Sequence, residues 1–245
     1  DADPLAAPPG RLGHHAHISG MNALPPAVID LAARLGAQPT ISPSTVTLTQ
    51  RGKMKRALGK DSWMAFTARQ SIDNNACNFS WLAKVAPLGF MSIRDSLDDG
   101  VSGLAVKLFG LIPVANAPDT PALVRGELMR YLAELPWAPD AILANPALRW
   151  RDGPSGALIV GAGEGDPAAE VTFTLDRAGR IETGFAPDRP RSPTAPHLPT
   201  PWRGRFWDYR LHDGRWIPFA GEVAWEIDGV PELYWRGVIE SWSTT

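Results

Sequence analysis

Three ionisable residues in the stretch Ala122–Leu135 (ALVRGELMRYLAEL) carry the clearest chemical signal: Glu127, Arg130 and Glu134. At about 100° per residue, Val124, Leu128, Tyr131, Leu132 and Leu135 form one apolar arc of a helix. Glu127 and Glu134 fall at its border, with Arg130 beside them at (i, i+3) and (i, i+4) spacing. Two readings follow. The three residues form a solvated salt-bridge ladder, or they edge a cavity in which desolvation lifts a carboxylate pKa into the range for acid–base work. A second cluster lies in Pro201–Arg210 (PWRGRFWDYR). Alternation sets Phe206, Asp208 and Arg210 on one face of a strand, and Trp207, Tyr209 and Leu211 on the other. Asp208 on a partly buried face needs a cationic partner, which Arg210, Arg236 or Arg130 would supply. The acid–base candidates are therefore Glu127, Glu134 and Asp208, with Tyr209 or Arg130 to polarise a substrate.

Tryptophan is over-represented, with ten against three Tyr and eight Phe. These indoles either fill a core or line an apolar pocket in which each N–H is free to fix a polar ligand atom. The pocket reading singles out Tyr131, Trp137, Trp202, Trp207, Trp225, Tyr234, Trp235 and Arg236 as ligand-binding residues.

Other chemistries find little support. There is no G-x-S-x-G, P-loop, H-E-x-x-H or C-x-x-C motif, and Gly161–Gly165 (GAGEG) does not open a helix after a strand. Cys77 is the only cysteine, which excludes an intramolecular disulfide and a thiolate zinc site. His14, His15 and His17 sit together in an N-terminal arm, where a fixed metal shell is not expected. His197 and His212 read as loop and turn residues, and Asp95–Gly100 (DSLDDG) reads as a turn because its acids are misplaced for calcium. No cofactor or metal is expected. The net charge of −2 lacks the basic excess that holds a nucleic-acid backbone, and no apolar run approaches the roughly 18 residues of a membrane span. Compartment depends on the start: cytoplasmic if Met21 is the true start, periplasmic if Asp1 is a processed terminus.

The elements that must position these residues are mostly strands. Gly (23) and Pro (24) reach about a fifth of the chain, more than usual for a globular domain but short of a disordered one. Residues 1–20 read as a Pro/Gly/His arm, and 21–245 as a single α+β domain. Leu24–Gly36 predicts a short amphipathic helix. Period-two alternation predicts strands at Ser44–Gln50, Trp63–Gln70, Asn78–Val85, Phe90–Leu97 and Val101–Ile112. After the helix of Ala122–Leu135 comes a short one at Pro139–Ala144. Strands resume at Leu148–Arg151, Ala157–Val160, Glu170–Leu175 and Arg180–Phe185. Residues 186–201, with six prolines, read as a loop. Further strands follow at Arg205–Leu211, Arg215–Phe219, Glu222–Ile227 and Glu232–Trp242, with turns at His212–Gly214, Ala220-Gly221 and Asp228-Gly229. Hairpin connections impose antiparallel pairing. The expected architecture is one large curved antiparallel sheet, half-barrel-like, of about ten or eleven strands. A central helix pair packs on its concave face, with the N-terminal helix beside it.

Seven segments in order resemble an uncharacterised bacterial family of unknown function. They are Trp63–Gln70 (WMAFTARQ), Phe79–Trp81, Lys107–Val114 (KLFGLIPV), Arg125–Trp137 (RGELMRYLAELPW), Pro201–Tyr209 (PWRGRFWDY), Gly221–Trp225 (GEVAW) and Tyr234–Gly237 (YWRG). The resemblance spans about residues 24–242, with departures at Ala65, where proline is more usual, and Arg69, where an acid is. It implies that the helix acids and the Trp-Asp-Tyr strand share one scaffold, and it brings no activity with it. Two functions remain open: binding of a small apolar or lipid-like ligand, in a fold similar in outline to half-barrel lipoprotein carriers, or a cofactor-independent hydrolase or lyase. The oligomeric state is not legible.

Overall fold

Alternating apolar and polar side chains, punctuated by Asp-Gly turns, decide most of this architecture. The computed structural model describes residues 24–39, 42–85, 90–108, 112–117, 119–192 and 195–245; the His14–His17 cluster lies outside them. Helix α1 (Pro26–Leu35) precedes strands β1 (Thr45–Lys55), β2 (Trp63–Asp73), β3 (Phe79–Val85), β4 (Met91–Asp98), β5 (Val101–Leu108) and β6 (Ile112–Ala117). Helix α2 (Pro121–Ala133), a 3-10 turn (Leu135–Trp137) and α3 (Ala141–Ala144) follow. Strands follow, with a second 3-10 turn (Pro154–Gly156) after the first of them: β7 (Arg149–Asp152), β8 (Leu158–Ala162), β9 (Ala169–Leu175), β10 (Ile181–Pro190), β11 (Pro199–His212), β12 (Arg215–Ile227) and β13 (Val230–Thr244).

Among the described residues, thirteen strands form one sheet in the order β6-β5-β4-β3-β2-β1-β13-β12-β11-β10-β9-β8-β7. Neighbours pair antiparallel, β1 and β13 by a long return and the others mostly by hairpins. With β6 and β7 as its edges, the sheet is open rather than closed. Helix α2 packs against β8, β9 and β10 and also against β4 and β5. In a flat sheet β4 and β10, seven places apart, would be separated by about 34 Å at ~4.8 Å per strand. A helix only about 10–12 Å across touches both, so the sheet curls around it.

Local chemistry explains the ends of the elements. Thr120 caps α2, its hydroxyl accepting from the Leu123 N–H at 3.2 Å, and Pro121 opens the first turn. Three hairpins turn on Asp-Gly pairs with positive φ at both residues, Asp99-Gly100, Asp213-Gly214 and Asp228-Gly229, as tight turns require.

The sheet has more strands than the ten or eleven expected, and three boundaries differ. The strand expected at Val101–Ile112 is β5, described to Leu108, and Ile112 opens a separate strand, β6. Residues 186–201 are not all loop: β10 continues to Pro190, β11 begins at Pro199, and Arg189 pairs with Thr200. Proline is tolerated there because these strand ends need no ladder N–H from it. Ala220-Gly221 is no turn either, since β12 runs straight through it. The helical segments also shift: α2 ends at Ala133, with Glu134 at its C-cap, and α3 starts two residues late.

Gly221 belongs to a cross-strand row, Phe206–Gly221–Gly237–Gly52–Phe66, that crosses β11, β12, β13, β1 and β2. Three adjacent strands thus carry no side chain at the centre of the concave face. A Cβ on Gly52 would lie 2.2 Å from the Arg236 carbonyl oxygen and 2.9 Å from the Gly237 Cα. Backbone cannot step aside for it. Gly52→Ala is therefore expected to lower stability by at least the ~1–3 kcal/mol typical of overpacking, read as a shift of the urea midpoint. Gly204→Ala serves as control, because a Cβ there meets only the Phe206 ring, at 3.6 Å, and should cost little.

Candidate functional site

The glycine row leaves a trough, and aromatic rings fill its sides. The Trp235 ring lies over Gly237, and the Trp137 ring lies 3.4 Å from where a Gly221 Cβ would stand. Trp137 meets Phe206 edge-on at 5.4 Å between centroids and Trp235 at 6.4 Å. Its N–H donates to the Pro218 carbonyl at 2.9 Å, while its own carbonyl accepts from the Trp242 indole at 2.8 Å. Between these rings and α2 lies a cavity of about 230 Å³, walled by Met54, Trp81, Ile93, Trp137, Trp202, Phe206, Val223, Tyr234 and Trp235. A ~150 Å³ apolar cavity already admits benzene.

One wall is polar and continuous. Gln70, Trp81 and Asp95 stand directly opposite one another on β2, β3 and β4. The Trp81 indole donates to Gln50 Oε1 at 3.1 Å, and Gln50 Nε2 donates to Gln70 Oε1 at 2.9 Å. Gln70 Nε2 donates to Glu134 Oε2. Arg130 Nε donates to Glu134 Oε1 at 2.9 Å, and Arg130 Nη1 donates to Asp95 Oδ2. The Arg130 guanidinium also lies over Phe79 at 4.8 Å and Trp81 at 5.2 Å. Burial by itself would lower the Arg130 pKa, but Glu134 and Asp95 outweigh it and hold the pKa above the ordinary value.

Behind this wall, Asp95 Oδ1 and Glu127 Oε2 are buried without a donor among the described residues. A protonated Glu127 can donate to Asp95, one of the causes that favour its neutral form. Burial, then the Asp95 charge, pushes the Glu127 pKa up to about 8 against the pull of Arg189 and Arg130. Arg189 Nε donates to the Gly126 carbonyl at 3.0 Å, and its Nη2 stands 3.7 Å from Glu127 Oε1. Its guanidinium lies against the faces of Trp202 at 4.7 Å and Trp225 at 5.5 Å.

Of the residues singled out from sequence, Arg130, Glu134, Trp137, Trp202, Tyr234 and Trp235 border the cavity. Glu127 and Trp225 lie just behind it, Trp225 stacked on Tyr234 at 5.9 Å. Tyr131 is buried apart from it, donating to the Asp73 carbonyl and accepting from Asn145, both at 2.9 Å.

Four candidates need correction. Asp208 is exposed, has φ +58° and bonds its neighbour Arg210 at 2.6 Å. Tyr209 points to β10 and donates to the Ile181 carbonyl at 2.6 Å. Trp207 and Arg236 take the convex face, beside Arg205 and Glu222 respectively. The period-two alternation that turns Phe206 and Trp235 inward turns their neighbours out.

Asp95, Gln50, Gln70 and Arg189 were missed. Gln70 and Asp95 were readable from alternation, following Met64, Phe66 and Ala68 in one strand and Ile93 in the other. Asp95 is a strand residue, not part of the turn. Arg189 gave no signal, because its segment read as loop. Among the described residues, no His, Cys, Asp and Glu group is placed to hold a metal ion, and no helix is long and apolar enough to cross a membrane.

Fold and site define an open, curved antiparallel sheet whose concave face holds an aromatic cavity and a buried charge network. The chain matches a family of unknown function (DUF6920) over residues 22–243, and it belongs to that family. No curated protein matches it. Among solved structures it is similar to a LolA superfamily protein from Nitrosomonas europaea, 6% identical over 88% of this chain and 92% of that one, with a TM-score of 0.45. It is also similar to a DUF1329 family protein from Desulfovibrio piger, 12% identical over 89% and 90%, with a TM-score of 0.47. A beta-barrel-like protein of the domain of unknown function DUF1849 from Brucella abortus matches at 11% identity over 85% of this chain and 100% of that one, with a TM-score of 0.23.

The raised Glu127 pKa makes stability depend on pH. Between the ordinary carboxylate value of 4.5 and about 8, the folded protein keeps a proton that the unfolded chain has released. The Glu127 contribution to stability therefore falls as pH rises through this window, is flat below it and levels off above it. Glu127→Gln mimics the protonated acid. Urea midpoints measured at several pH values across the window should show the variant gaining on the wild type as pH rises.

Proposed function

We propose that this protein binds a small apolar, lipid-like ligand in the cavity between α2 and the concave face of the sheet. The observation that carries this reading is an aromatic cavity of about 230 Å³ whose bordering carboxylates, Asp95, Glu134 and Glu222, are already engaged by Arg130, Gln70 and Arg236. Pockets that are mostly apolar with a few convergent polar groups suit ligands with an apolar body and a polar tip. A hydrolase or lyase using Glu127, Glu134, Asp208, Tyr209 and Arg130 is less favoured. Asp208 and Tyr209 lie outside the cavity, and both Glu134 oxygens already accept hydrogen bonds, from Gln70 and Arg130.

Gly204 offers a direct test, since it borders the cavity and its position has room for a side chain. Wild-type protein should bind 1-aminoanthracene saturably, with energy transfer from its tryptophans. Gly204→Leu should plug the cavity and weaken binding by at least about tenfold, or ~1.4 kcal/mol, with little change in the urea midpoint. Equal binding by a folded Gly204→Leu would place the ligand elsewhere and overturn the proposal.

A further inference from the structure

Resting on that reading, the hydrogen-bond inventory of the cavity narrows the ligand class. Arg130 uses Nε and Nη1 on Glu134 and Asp95, and Nη2 has no partner among the described residues. The side chain keeps 16% exposure and borders the cavity. The amides of Gln50 and Gln70 each spend one N–H in the relay and retain a second. Tyr234 accepts from the Trp202 indole at 3.0 Å, which leaves its own hydroxyl proton to donate. Both Glu134 oxygens and Asp95 Oδ2 already accept bonds, and Glu222, which also borders the cavity, accepts two from Arg236. The wall thus has donors to spare and its acceptors in use.

The charges set a second condition. Asp95, Glu127 and Glu134 stand with Arg130 and Arg189, and because burial raises the Glu127 pKa to about 8, two carboxylates balance two guanidiniums near neutral pH. An anionic ligand would meet two carboxylates already seated on Arg130. A cationic one would find those carboxylates occupied. Either would leave a buried charge without a counterion.

We infer that the ligand carries an uncharged hydrogen-bond acceptor, an ester or amide carbonyl, which Arg130 Nη2 binds beside Gln70 while its apolar body lies among the tryptophans. The test is displacement of 1-aminoanthracene near neutral pH by methyl octanoate, octanoate, octylamine and nonane. Methyl octanoate should bind at least about tenfold tighter than each of the others, the effect of one bond from a charged donor. The inference fails if octanoate or octylamine equals the ester, or if nonane does. In those cases the apolar-ligand reading survives. If neither 1-aminoanthracene nor any of the four binds, that reading fails and takes this one with it. Arg130→Lys keeps the charge and loses Nη2, so the ester should fall to the level of nonane while nonane is unchanged. An undiminished ester advantage in that variant would also overturn the inference. Should the variant not fold, the ligand series on wild-type protein decides the matter alone.

Discussion

One guanidinium ties the two arms of the sheet together. Arg130 projects from α2, which is buried on most of its faces, and its side chain keeps only 16% exposure. A buried cation must find counterions, and Arg130 finds them on different elements: Glu134 one turn along its own helix and Asp95 on β4. On the opposite side of α2, Arg189 and Asp188 of β10 bind Gly126, Glu127 and Arg125. The helix is thereby held against strands seven places apart in the sheet, and the curvature that makes a concave face follows from this.

The glycine row complements that clamp. Covering a curved sheet with a single helix would normally leave side chains meeting across the whole face. Here the absence of side chains at Gly52, Gly221 and Gly237 lowers the floor under Trp137 and Trp235. Large rings occupy part of the space and a cavity remains beside them. The tryptophans are thus at once core and lining, and the two readings of their abundance do not exclude each other. Their N–H groups follow the same division, Trp137 and Trp242 bonding backbone carbonyls while Trp81 and Trp202 enter the polar wall.

Much of this was legible before any coordinates. The alternation in Trp63–Gln70 and Asn78–Val85, the Asp-Gly turns and the capped helix at Pro121 all specify local structure through nearest neighbours, and all appear nearly where expected. Boundaries went astray where a local rule met a tertiary one. Ala220-Gly221 looks like a turn because glycine favours turns, yet glycine is needed there so that rings can approach the strand. Residues 186–201 look like loop because proline breaks ladders, yet β10 and β11 place those prolines where no ladder bond is lost.

The sequence by itself determined the antiparallel sheet, the helix on it and the presence of Glu127, Arg130 and Glu134 on one helix border, because periodicity and turn chemistry act over a few residues. It could not say that Arg130 meets Asp95 rather than Asp208, or that Arg189 sits at the cavity. Those pairings join residues 35 and 63 positions apart and depend on which strands the curling sheet brings to the helix. Only the tertiary structure decides that, because a buried charge selects its partner by proximity in space, and proximity here is a property of the curvature.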